Sequence, residues 1–475
     1  MTGGIKPFNI KEERIEMEIA EKFANFIVHT EFTDVHESVI EHIKKLTLKQ
    51  VMGMLVGSSA PTCKKVIHYA KDHLGRPECG VYGCGFKTDV AQAALVNGFL
   101  GHSSEFEDDQ FPGGGISDVT TWPTLLTVAE KCKLSGKEII LALYVGQEVQ
   151  NRIAWHASAA TDPIGLCNLP FIGIYGATAC CAKAYELSVE QTKASLGLAM
   201  VQGLGYMLTL GTDAHFWESA TVCRNAVVNA IMARYGATSN PVIDKSLNVL
   251  TGGDKNIPFE KMTEGLGQAP FYTNNTWIKK WGFCFGNHNY VDLLGDLIKK
   301  HGFKGEEVQE VVVHTDLNRG VIDRPDPKNP EDSRFSVQHI LSYLMIHGKC
   351  DIGTCTETAV HDPRIADLRK KVKVVYHPEY PRRTMGVSNT GETAECRMDV
   401  TLKSGKVITG AMDQPYGSPK YPLSMDQVID IYRTYCKGIL SDAHIERVKE
   451  IILNMENEID LQEMFDICTY RHAAK

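Results

Sequence analysis

From Lys11 to Thr30 the chain reads KEERIEMEIAEKFANFIVHT, and Ile15, Ile19, Phe23, Phe26 and Ile27 return at the spacing of a single helical face. Comparable patterns fill the first 240 or so residues, which confines that part of the fold to helices burying their apolar stripes against one another. One of them, SGKEIILALYVGQEVQNRI, opens at Ser135 with Glu138 three residues on, the pairing of a capping box. Another, IGLCNLPFIGIYGATACCA from Ile164 to Ala182, is nearly long enough to cross a bilayer. Its Gly, Ala and Cys content and the interruptions at Asn168 and Pro170 predict a helix packed inside protein instead.

The texture changes near residue 300. VQEVVVHT and KVKVVY are β-branched runs, while Cys396, Met398, Val400 and Leu402 alternate with polar residues before a Ser404-Gly405 turn into KVIT. That pattern predicts a hairpin. After GSPKYPLS the helical spacing returns, with Ser424 and Gln427 as a second capping box and Ile445, Val448, Ile452 and Met455 on one stripe. The expected fold is therefore mainly α: a large all-α domain from residues 1–275 plus 411–475, carrying a smaller α+β lid domain over 276–410. A site between two such bodies is the natural expectation.

Composition narrows the function. At 475 residues, 43% hydrophobic, with a net charge of −8, the chain has the make-up of a soluble globular protein with no general attraction for nucleic acid or an acidic membrane. The expected partners are a small molecule and copies of itself. Fourteen scattered cysteines, without a CxxC pair, and an N-terminus lacking a basic-then-apolar leader predict free thiols in the cytoplasm, and no structural zinc.

The chemistry concentrates in HSSEFEDD, residues 102–109, where Glu105, Glu107, Asp108 and Asp109 crowd beside His102 and a Gly113-Gly114-Gly115 hinge follows. A site role is favoured over a solvated helix end, where acids are also common; His102, Glu105, Asp108 and Asp109 would also make a hard ligand set for Mg²⁺ or Mn²⁺. The longer run NGFLGHSSEFEDDQ, then PTLLTVAEKCKLSGKEIILALYVGQEVQNRI, resembles the MmgE/PrpD family, with its N-G-x-x-x-H-x-x-D-F-D-D core and a helix ending G-x-E-V-x-x-R-I. The resemblance continues through GIYGATACCAKAYEL, GNHNYVDLL, DSRFSVQHILSYLMIHG and GSPKYPLS.

That resemblance implies a helical domain with an α+β lid, a homodimer, and removal or replacement of a proton or carboxylate next to a carboxylate, without an organic cofactor or a required metal. It also implies site residues. The family's first aspartate falls on Glu105 and the threonine closing its D-F-D-D-T on Asp109, while a following histidine falls near Ile116 and is lost. A second histidine falls on Cys167, the family's lysine on His215 with the accompanying histidine on Glu218, and a third histidine on His288, which is kept. A tyrosine falls near Val321 and is absent.

Abstraction of a proton beside a carboxylate needs a base titrating near neutrality and positive groups where charge grows. Glu105, Asp109, Cys167, His215 and His288 are the candidate catalytic residues, Cys167 acting as a thiolate if its pKa is lowered. His102, Arg152, Arg224 and Lys279 or Lys280 are the candidate anion holders, although the two lysines read more readily as surface charges. Three functions fit: a cofactor-free lyase on a small di- or tricarboxylic acid, an epimerase or racemase in which Cys167 and a histidine oppose each other, and a carboxylate-binding protein on a retired scaffold.

Overall fold

The computed structural model describes residues 18–470 apart from 112, 114, 115, 117, 162, 163, 254–256, 316–320, 378–382, 385, 386 and 389–395. Ile15, Gly114 and Gly115 lie outside the described residues, as does the end of the chain after 470. The rest is mainly α, with small sheets. The helices that matter for the site are α1 (Glu18–His29), α2 (Glu37–Gly57), α3 (Val90–Ser103), α4 (Asp118–Cys132), α5 (Gly136–Thr161), α6 (Asn168–Ala184) and α7 (Asp213–Arg234).

Ile19, Phe23 and Ile27 of α1 are buried, as their spacing requires. Ser135 and Glu138 form the expected cap, the Ser135 backbone N–H donating to Glu138 Oε2 at 2.7 Å. From there α5 runs to Thr161, well past the apolar stretch that announces it. The near-membrane-length window is the buried helix α6, which starts at Asn168 because Pro170 is tolerated only in a first turn. No described helix is long and apolar enough to cross a membrane.

Helix crossings in this body are close because glycines stand at the contacts. A Cβ at Gly98 of α3 would lie 2.6 Å from Cys223 Sγ of α7, and one at Gly57 of α2 would lie 1.9 Å from the Leu100 carbonyl oxygen of α3. These contacts press the C-terminal end of α3, which carries His102, against the start of α7.

The second texture folds as its alternation predicts. Strands β1 (Val308–Thr315), β2 (Val372–Tyr376), β3 (Cys396–Leu402) and β4 (Val407–Met412) form a sheet in the order β4-β3-β1-β2. The β3–β4 pair is the antiparallel hairpin, with Thr401 opposite Val407, and β1–β2 is parallel. Helices α8 (His288–His301) and α9 (Val337–His347) belong with this sheet, burying Leu294, Ile340 and Leu341 in a core shared with Val311, Val313, Met398 and Val400. Chain from Leu423 onward returns to the first core: Val428, Tyr432, Ile445, Val448 and Ile452 pack there with Phe23, Trp122 and Tyr144. The Ser424–Gln427 capping box forms as well. All fourteen cysteines are free thiols.

Candidate active site

Helix α3 ends at Ser103, and the acidic stretch follows directly. Glu105 takes φ +58°, a left-handed backbone that costs a residue with a side chain about 1–2 kcal/mol. Its neighbours hold it there: the Glu105 N–H donates to the His102 carbonyl at 3.0 Å, and Lys279 Nζ donates to the Glu105 carbonyl at 3.0 Å. Such strain is stored where surrounding contacts over-determine the backbone, most often at functional sites.

The acids are not a solvated helix end. Glu105, Glu107, Asp108 and Asp109 are all buried, and two lysines are buried with them, Lys49 from α2 and Lys279. Lys279 therefore is not a surface charge either. Its ammonium pairs with Glu107, stands 3.7 Å from Glu105 Oε2, and its backbone N–H donates to Asp108 Oδ1 at 2.7 Å. Lys49 Nζ donates to the Phe106 carbonyl at 3.2 Å and lies 3.5 Å from Asp108 Oδ1. Asp118, at the start of α4, joins them by accepting the Asp108 backbone N–H at 2.9 Å.

Two ammonium groups thus face Glu105, Glu107, Asp108 and Asp118. Burial pushes the proton affinity of Glu107 and Asp108 upward more than the lysines pull it down, and burial with the neighbouring Asp108 carboxylate raises that of Asp118. Burial works against the charge on Lys279 as well, yet Glu107 and Glu105 outweigh it and hold the ammonium above the ordinary lysine range. Burial thus favours the protonated forms of Glu107, Asp108 and Asp118 and limits the negative charge the cluster carries. A short antiparallel pairing, Asp109 with Trp277 and Gln110 with Thr276, ties this loop to the chain that leads into the second core.

A second group forms beside it. His215, in the first turn of α7, has Nδ1 3.1 Å from Glu218 Oε2, three residues along the same helix face. Cys167, the residue before α6, brings its thiol to them. The ligand-type atoms of Cys167, His215 and Glu218 all lie within 4.8 Å of one another, and all three residues are buried. Burial and the nearby Glu218 carboxylate push the Cys167 thiol well above its usual range, so it is a protonated thiol and not the thiolate expected from the sequence. Ile116, where the family's histidine is lost, packs beside Cys167 with Val119 and Leu169. Its N–H donates to Asp109 Oδ1 at 2.7 Å.

His102 stands edge-on to His215 with ring centroids 4.3 Å apart, anchored by Nδ1 to Ser219 Oγ at 3.1 Å. Its Nε2 is buried without a hydrogen-bond partner. Burial, then the neighbouring His215 and Lys279, keep this imidazole neutral far below its ordinary pKa. His288, opening α8, is likewise held neutral by burial and by Lys279, and stacks on Phe285 at 4.8 Å. The charge of Lys279 therefore bears on both groups, on His102 in one and on His288 in the other.

The remaining candidates go elsewhere. Arg152 is buried but spent: it pairs with Glu148 at 3.1 Å, donates to the carbonyls of Glu264 and Gly265, and lies 4.6 Å over the Tyr272 ring. Arg224 is exposed and bonds its own neighbour Asn225. Lys280 pairs with Asp292 at 2.7 Å. Among the described residues, His102, Glu105, Asp108 and Asp109 do not form a group whose ligand atoms close on one another. Of the Gly113-Gly114-Gly115 run the described residue is Gly113, where a Cβ would lie 2.0 Å from Gln110 Oε1 and 2.7 Å from Ala154 Cβ.

Sequence reading missed Lys49, Asp118 and the part played by Glu218. A lysine inside LTLKQVMGMLVG, between apolar residues on both sides, was a signal for the first. The i, i+3 spacing of His215 and Glu218 was one for the last.

Two family models match the chain, described as the MmgE/PrpD N-terminal domain over residues 21–246 and the MmgE/PrpD C-terminal domain over residues 281–457. The chain is similar to cis-aconitate decarboxylase of Homo sapiens, 23% identical over 92% of this chain and 92% of that protein. It is 22% identical to the Mus musculus protein of the same name, over 92% of this chain and 91% of that one. It is also 23% identical to the mitochondrial 2-methylcitrate dehydratase of Yarrowia lipolytica, over 74% of this chain and 70% of that protein.

Proposed function

We propose that this chain, which belongs to the MmgE/PrpD family, is a lyase acting on a small di- or tricarboxylic acid. The observation that carries the reading is the buried convergence of His215, Glu218 and the Cys167 thiol within 4.8 Å. Glu218 orients the His215 imidazole through Nδ1. The imidazole takes the proton beside a substrate carboxylate, and the electron pair is delocalised into that carboxylate as hydroxide leaves. Cys167, protonated by its surroundings, supplies the proton that the departing oxygen takes. In a decarboxylation the carbon–carbon bond breaks instead, CO₂ departs, and the same thiol or the imidazolium protonates the carbon. Neutral His102 borders the same space, and the field of Lys279 favours the anionic intermediate.

The thiol weighs against the epimerase, which needs a second base opposed to the first: burial and Glu218 hold the Cys167 thiol protonated.

Relatives in the family suggest the test. The purified protein is incubated in heavy water with cis-aconitate and, separately, with 2-methylcitrate, and CO₂, unsaturated product and deuterium incorporation are followed. Release of CO₂ or of water, lost in His215→Gln, supports the lyase. Deuterium exchange without release would establish the epimerase, and neither exchange nor release a binding protein.

We further propose that the chain works as a homodimer in the cytoplasm, with the body built on the second core as the lid over the site. Supporting the dimer is a run of exposed apolar side chains: Val201 (80% exposed), Leu204 and Leu208 (95%) on the 201–208 segment, followed by Trp217 in the first turns of α7.

A further inference from the structure

We propose that Cys167, His215 and Glu218 form a transition-metal site of the zinc type, with the thiolate, one imidazole nitrogen and one carboxylate oxygen as its protein ligands. Among the described residues this is the set of three that closes, with all ligand atoms within 4.8 Å and His215 Nδ1 3.1 Å from Glu218 Oε2. Tetrahedral binding with metal–N and metal–O near 2.0 Å and metal–S near 2.3 Å places neighbouring ligand atoms about 3.3–3.5 Å apart. A cation at their centre draws the side chains together by about an ångström.

The mounting has the character of an outer coordination shell. Glu218 Oε1 is held by the Tyr206 N–H and by Thr209 Oγ1, each at 3.1 Å, which leaves Oε2 for His215 and the site. Glycine at 205 permits this, since a Cβ there would lie 2.5 Å from Glu218 Oε1. The Cys167 N–H donates to the Gly205 carbonyl at 3.0 Å, and Leu166 bridges to Tyr206, so both ligand-bearing segments are pinned to one another. Beside the ligands, His102 offers a fully buried Nε2 that bonds nothing. Its ring centroid lies 4.3 Å from that of His215, so an unused imidazole nitrogen borders the ligand set.

Mixed sulfur, nitrogen and oxygen donors select zinc or a similar transition ion over Mg²⁺ or Ca²⁺. Three protein ligands leave a fourth position for an oxygen ligand, as in catalytic zinc centres. On binding, the Cys167 S–H bond breaks, the sulfur–metal bond forms and the proton passes to solvent. The site departs from the metal-free chemistry that the family resemblance implies. Ion binding removes the S–H proton that the lyase reading gives to the leaving oxygen. In the loaded site the ion would act in its place as a Lewis acid on a carboxylate or hydroxyl oxygen of the substrate; that use rests on the lyase reading, and the binding of the ion does not.

Full-length protein stripped with a chelator and titrated with CoCl₂, without substrate, tests the proposal. The expected result is one Co²⁺ per chain with a thiolate-to-cobalt charge-transfer band in the near ultraviolet, displaced by Zn²⁺. Cys167→Ser loses that band, and Glu218→Gln weakens Co²⁺ binding by about 100-fold or more, the upper end of what losing an outer partner alone costs. Absence of stoichiometric Co²⁺, or a band unchanged in Cys167→Ser, overturns the site. Far-ultraviolet circular dichroism checks each variant, and Glu218→Gln carries the decision if Cys167→Ser misfolds. Heavy-water exchange in the stripped protein is read separately, so a failed metal site and a failed lyase reading give different results.

Discussion

Lys279 shows how one side chain can matter to both stability and chemistry. Its ammonium is enclosed with Glu105 and Glu107, and its field reaches His102 and His288. Removing one partner of a buried ion pair leaves the other uncompensated, which typically costs about 3–5 kcal/mol. Lys279→Met should lower stability by about that much in urea unfolding at pH 8, and by less at pH 5, where the stranded carboxylates take up protons. The same acids set the pH response of the parent protein. Glu107, Asp108 and Asp118 bind protons more tightly folded than unfolded. Their contribution is therefore fully present below the ordinary carboxylate range of about pH 4 and is lost as pH rises through the raised folded values. Melting temperatures should fall between pH 5 and pH 8, and Asp118→Asn should flatten that slope; a flat profile in the parent would contradict the proton-holding cluster. Glu105, which keeps one carboxylate oxygen buried and unpartnered, is not needed to hold Lys279 in place, since Glu107 remains. Glu105→Gln removes one of the two carboxylates that hold the Lys279 charge on which the proposed chemistry draws, so turnover should fall while circular dichroism stays close to the parent.

At the scale of elements, the site depends on how closely α2, α3 and α7 approach. Alanine outranks glycine in a helix interior by about 1 kcal/mol, so propensity alone favours Gly57→Ala. Packing decides otherwise: the new Cβ would lie 1.9 Å from the Leu100 carbonyl oxygen, a backbone atom that cannot swing away. The expected outcome is a net loss of about 1–3 kcal/mol, measured by chemical unfolding, because overpacking outweighs the helical gain. Such contacts were invisible in the sequence, where Gly57 looks only like the end of an apolar helix. The elements themselves were legible. The capping boxes at Ser135 and Ser424, the stripe on α1 and the hairpin of β3 and β4 are local patterns, and each forms as its spacing predicts.

For the whole molecule, two cores are joined by a chain that crosses from one to the other near residue 280 and returns near 420. The acidic loop sits where the crossing begins, paired to Thr276 and Trp277. The apolar face around Leu208 is on the body that holds His215, and the segment carrying it also supplies Tyr206 and Thr209 to Glu218. If a second copy covers that face, Leu208→Asp should shift the protein from dimer to monomer in light scattering after size exclusion and lower activity with it. A parent protein that is monomeric at micromolar concentration would remove the dimer.

What the sequence determined alone is the material of each element, the mainly α class and the family. Periodicity, capping and short motifs are properties of neighbours in the chain, and they survive without knowledge of distant contacts. Only the tertiary structure decided which charges meet. Burial turned the acids near 105 into partners of Lys49 and Lys279, turned Cys167 into a protonated thiol, sent Arg224 to the surface and spent Arg152 on Glu148. Ionisation and pairing depend on dielectric and on separation through space, and residues 167 and 218 become neighbours only after the helices have packed.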